Sequence, residues 1–170
     1  MTQITELEIE ELAKEYKKKG KKWHFHILTP DCRLNQSNDF VMMLENTTDD
    51  ESFVLYSTKP LTELGKNLLK LLYEEDMIRD SSVAQNENNE YTELAPEVQA
   101  MIDRAKELNK QGKFWHHHMF FPECMFNQDK GKWTIIFEDT EKGEIMRSVS
   151  LEEPRSELKH IEALFYNQKR

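Results

Sequence analysis

The sequence predicts an α+β protein built as a tandem duplication of an α-β-β-β-α unit. The main observation is a segment, Gly20–Gln36, that recurs 92 residues later as Gly112–Gln128 with nine identities in 17 positions. The identities include rare residue types, since one Trp, two His and one Cys are repeated in register. On both sides of this segment the hydrophobic patterns also match in kind, which chance does not explain.

The elements of the first copy follow from periodicity and turn residues. Apolar positions at helical spacing around Ile9–Tyr16 predict a helix, with Thr5 and Glu8 as its capping box and Gly20 beyond its end. A strand beginning at Trp23 follows. Short β-type runs and a final amphipathic stretch complete the unit. The predicted segments are Phe40–Glu45 and Ser52–Ser57 as strands and Leu61–Tyr73 as a helix.

The second copy repeats this order. Pro96 suits the opening turn of its first helix, and Gly112 follows the end of that helix. Ser150 and Glu153 have the spacing of a capping box before the last helix. The predicted segments after Trp115 are the strands Trp133–Glu138 and Glu144–Val149 and the helix Pro154–Tyr166.

These elements predict three regions along the chain. Residues 1–76 form the first repeat unit, residues 77–95 a polar and acidic linker, and residues 96–170 the second repeat unit. We expect the copies to pack with pseudo-twofold symmetry, as a fused dimer does. They could meet through the sheet faces that the helices leave bare or join sheets edge to edge, and the sequence does not choose between these arrangements.

Composition excludes several functional classes. The 170 residues carry a net charge of −9, so we expect no nucleic-acid partner, because phosphate backbones require clustered positive charge. The chain has no apolar run of membrane-spanning length, and from its first residues we expect no signal peptide; two cysteines fit a reducing, cytoplasmic location. With five glycines and no phosphate-binding loop, we expect no nucleotide cofactor.

The repeated segment also contains the candidate functional residues. Side chains two apart in a strand point to the same face, so His24 and His26 form one pair and His116 and His118 another. A proline ends each strand, since it cannot donate to the ladder. It is followed directly by a carboxylate and a thiol, which are Asp31 and Cys32 in one copy and Glu123 and Cys124 in the other.

Two imidazoles combined with a thiolate or a carboxylate are typical ligands of zinc or iron. The sequence therefore predicts a divalent transition-metal site, either one in each copy or one shared by both. The predicted ligands are His24, His26, Cys32, His116, His118 and Cys124. Asp31 and Glu123 are candidates for further ligands or for the general base of a metal-dependent enzyme.

Two other interpretations are left open by the residues. The Trp, His and Cys side chains could be structural parts of a non-enzymatic module that binds a protein or peptide, with the imidazoles bonded to backbone or to Asn35 and Asn127. Alternatively, the paired His could perform metal-free acid–base chemistry on a phosphorylated or acidic small molecule. Whether the chain is an enzyme does not follow from its sequence.

Overall fold

A computed structural model of the chain describes residues 1–74, 94–140 and 142–168. In this part of the chain there are four helices and two sheets, of four and three strands, which confirms the predicted α+β class. The chain divides into two compact units, Met1–Asp76 and Met77–Arg170. The predicted linker falls almost entirely on residues 75–93, which lie outside the described residues.

Unit 1 contains a mixed four-stranded sheet with the strand order β1-β4-β3-β2. The strands β2, β3 and β4 are antiparallel neighbours, as expected, and β1 adds a short parallel pairing to β4 that the sequence did not predict. Two residues are too few to show a periodicity. The elements are β1 (Thr2–Gln3), α1 (Glu6–Lys18), β2 (Trp23–Leu28), β3 (Phe40–Asn46), β4 (Glu51–Ser57) and α2 (Thr62–Tyr73).

Unit 2 contains a three-stranded antiparallel sheet with the order β5-β6-β7. Its chain order is the predicted α-β-β-β-α. The elements are α3 (Pro96–Gln111), β5 (Trp115–Phe120), β6 (Trp133–Asp139), β7 (Glu144–Ser150) and α4 (Arg155–Tyr166). Within the described ranges of both units, no helix has the length and apolar character that crossing a bilayer requires.

The helix ends follow the local sequence, with one exception. Thr5 and Glu8 form the expected capping box, and Gly112 ends α3 in the left-handed conformation with φ of 70°. The predicted capping box of Ser150 is wrong, because Ser150 ends β7 and donates its hydroxyl to the carbonyl of Glu152. A helix capped at Ser150 would need the N–H of residue 154 for its first bond, and Pro154 has none.

In each unit the helices cover one face of the sheet. In unit 1, α1 contacts α2, β3 and β4, and the resulting core includes Trp23, with Phe25 and Ile27 packed against it. Successive side chains of a strand alternate between faces, so His24 and His26 lie on the opposite, helix-free face. The helix-covered face therefore provides the hydrophobic core, and the other face presents the paired histidines.

The helix-covered face of unit 2 contains a buried polar pair. His117 is the third residue of β5, and its Nε2 lies 3.3 Å from Oε1 of Glu162, the eighth residue of α4. The third residue of β2 and the eighth residue of α2 are Phe25 and Leu69. Unit 2 thus holds a buried imidazole–carboxylate pair where the same positions of unit 1 are apolar.

This pair yields a stability prediction. His117→Phe alone leaves the carboxylate of Glu162 buried without its partner, so we expect a loss of about 3 kcal/mol in the free energy of unfolding. The double variant H117F/E162L restores an apolar pair of the unit 1 type and should lie within about 1 kcal/mol of the parent or above it. Urea denaturation measures both. If the double variant is as unstable as H117F, the loss of stability in H117F does not come from the unpaired carboxylate of Glu162.

Candidate functional site

The four paired histidines are buried side chains in contact within each pair. The ring centroids of His24 and His26 lie 5.0 Å apart in an edge-on arrangement, and those of His116 and His118 lie 5.2 Å apart. Their relative exposures range from 0% for His116 to 6% for His26. Each pair is therefore a preformed, water-excluded cluster of imidazole nitrogens.

A glutamate on the adjacent strand contacts the first histidine of each pair. The antiparallel register places His24 opposite Glu45 and His116 opposite Glu138. His24 Nε2 lies 2.9 Å from Glu45 Oε2, and His116 Nε2 is hydrogen-bonded to Glu138 Oε2 at 3.0 Å. Both carboxylates are almost fully buried. The sequence analysis did not identify these glutamates, although a charged residue near the end of an apolar strand in each unit was an available signal.

The contact with the carboxylate assigns the protons of the imidazole. A carboxylate accepts a hydrogen bond only from a protonated nitrogen, so the bond between His116 and Glu138 assigns the proton of His116 to Nε2. Metal-binding histidines typically have one ring nitrogen bonded to a carboxylate in this way. Burial, together with the neighbouring His116 and His117, lowers the pKa of His118 to about 3. Its ring is therefore neutral, the form that binds metals.

The thiols lie in two loops of the same construction. In unit 1 the N–H of Cys32 donates to the carbonyl of Thr29, and the amide of Asn35 donates to the carbonyls of Thr29 and Asp39 at 2.9 and 2.7 Å. The side-chain oxygen of Asn35 accepts twice from Ser37. This amide is therefore fully occupied by its own loop.

In unit 2, Asn127 has the same role. It donates to the carbonyls of Phe121 and Lys132 and accepts from Asp129 and Thr134. The interpretation that Asn35 and Asn127 hold the imidazoles is therefore wrong, because both amides are used within their loops. Their repetition reflects the need to close an identical turn around a cysteine.

Cys32 and Cys124 are reduced thiols and are 3% and 0% exposed. Cys32 packs with Leu28, Val41 and Val54 beside the end of β2. The described part of the chain includes groups of two His and one Cys that could hold a metal ion. These groups are drawn from His24, His26, Cys32, His116, His118 and Cys124.

The two predicted carboxylates have a different setting. Asp31 and Glu123 are exposed residues in the turns before the cysteines, whereas the histidine-bound carboxylates of Glu45 and Glu138 are buried. A role of Asp31 or Glu123 as ligand or general base stays a prediction. The carboxylates of Glu45 on β3 and Glu138 on β6 do contact paired histidines.

Comparison with known proteins gives one family. The profile of the ecdysteroid kinase-like family matches residues 56–145, just over half of the chain. The match begins in β4 and ends in β7, so it includes His116, His118 and Cys124 but not the first histidine pair. No curated protein and no solved structure matches this chain. On the extent of the profile match, the chain belongs to the ecdysteroid kinase-like family.

Proposed function

We propose that this chain binds transition-metal ions through its two His-x-His motifs. Each pair supplies two imidazoles, and one of the two buried thiols completes each ligand set. The observation that carries the proposal is the buried carboxylate on each first histidine, Glu45 on His24 and Glu138 on His116. Such a carboxylate fixes the ring and its tautomer and makes the other nitrogen a better ligand.

Burial favours this function over a protein-recognition surface. Hot-spot side chains of an interface are exposed before the partner binds, but the paired histidines are at most 6% exposed within the chain itself. Burying several polar groups costs stability unless each is bonded. A metal ion that bound two imidazoles and a thiolate would offset the cost of burying these groups.

The ligand set favours zinc over iron. Non-haem iron sites combine two histidines with a carboxylate, whereas imidazole with thiolate is typical of zinc. Glu45 and Glu138 contact the histidines themselves, and Asp31 and Glu123 are exposed. A set of two His and one Cys leaves one tetrahedral position open, where zinc could activate water.

We also propose that the two units arose by duplication and are related by a pseudo-twofold axis.

Element analysis of protein purified without a histidine tag tests the proposal. We expect about two transition-metal ions per chain, and the loss of about one ion in H24A/H26A and in H116A/H118A. In cobalt-substituted protein, C32S and C124S should each remove part of the thiolate-to-cobalt charge-transfer absorption. His160, outside both motifs, provides the control variant H160A, which should retain the full metal content.

Two results would contradict the proposal. If the purified protein contains no metal and does not bind added zinc, iron, nickel or copper, metal binding is excluded. Full zinc content in the variant that lacks all four paired histidines would place the metal elsewhere.

The family match makes phosphoryl transfer a second candidate function. The positions of the glycines argue against this function, because a phosphate-binding loop needs several glycines close together in one loop. Gly65 lies inside α2, and the four others adopt positive φ at helix ends and turns. Calorimetric titration of the metal-free protein with Mg·ATP separates the candidates: we expect no saturable binding, and binding with one site per chain would favour phosphoryl transfer.

A further inference from the structure

The histidine face of unit 1 carries a thioether that the histidine face of unit 2 lacks. Met43 is the register partner of His26 across β2 and β3, whereas Ile136 is the partner of His118 across β5 and β6. Directly opposite residues of antiparallel strands share a face, with Cβ atoms about 5 Å apart. The flexible side chain of Met43 therefore lies beside the imidazole of His26.

The surroundings of Met43 suit a soft ligand. Met43 is half-buried and packs against the apolar cluster that contains Cys32, Leu28, Val41 and Val54. Its thioether thus belongs to the histidine face of the sheet and to an apolar environment. Ile136 offers only methyl groups at the matching position, so the second pair has no additional donor there.

We propose that Met43 is a specificity-determining ligand, which makes the His24–His26 site prefer copper while the His116–His118 site prefers zinc. The inference rests on the proposed function. Soft thioether and thiolate donors select Cu⁺, and two His and one Cys with a weak methionine ligand is an established copper set. Without the thioether, the same set leaves an open position that is typical of zinc.

Competition titrations in variants that retain a single histidine pair test this inference. In H116A/H118A, which keeps the first pair, Cu⁺ is titrated anaerobically against a chromophoric Cu⁺ chelator, and Zn²⁺ is titrated separately. Adding Met43→Ile should weaken Cu⁺ binding by about tenfold or more and change Zn²⁺ binding by less than about threefold. The matched reverse change, Ile136→Met in H24A/H26A, should strengthen Cu⁺ binding at the second pair.

A parallel experiment avoids removing buried histidines. In the full chain, a Cu⁺ titration should show a tighter and a weaker step, and M43I alone should remove the tighter step while I136M should make the two steps alike. If both metals bind but M43I leaves the ratio of Cu⁺ to Zn²⁺ affinity unchanged, the inference is overturned and the proposed function stands. If the parent chain binds neither metal, both are overturned.

Discussion

The contact between a buried imidazole and a buried carboxylate on the neighbouring strand is the interaction on which the candidate sites depend. A carboxylate is buried at high cost unless it is bonded, and His24 and His116 provide that partner for Glu45 and Glu138. The contact also ties the strand register to the chemistry. A slip of one residue would turn every side chain of the strand to the other face and place the glutamate in the hydrophobic core.

The cysteine loops support this register. Each loop joins the two strands that carry the histidine and the glutamate, and its asparagine bonds to the carbonyls on both sides of the turn. The same turn holds Cys32 and Cys124 in buried positions beyond the strand end. The residues of the repeated motif thus act together. The histidines and the cysteine supply candidate ligands, and the asparagine fixes the loop that joins the two strands and holds the cysteine.

Much of this arrangement could be predicted from residues that act locally. Strand alternation separates Trp23 from His24, and glycine and capping residues mark α1 and α3. The partners Glu45 and Met43 could not be assigned in this way, because they meet the histidines only through the β2–β3 register, which the loop sets. A local motif can also mislead: Ser150 does not cap α4, because Pro154 lacks the backbone N–H that a helix beginning at Ser150 would need. The profile match shows which family the chain belongs to, whereas the proposed ligands are inferred from the buried residues of the site.

The most direct measurement is the zinc affinity of E45Q/E138Q compared with that of D31N/E123Q. Glutamine keeps the size of the glutamate side chain but removes the charge that orients the histidines. We expect E45Q/E138Q to bind zinc about 10- to 100-fold more weakly than the parent, while D31N/E123Q, altered at the exposed carboxylates, binds as the parent does. Unchanged affinity in E45Q/E138Q, with a loss in D31N/E123Q, would overturn this expectation and make the exposed carboxylates the functional ones.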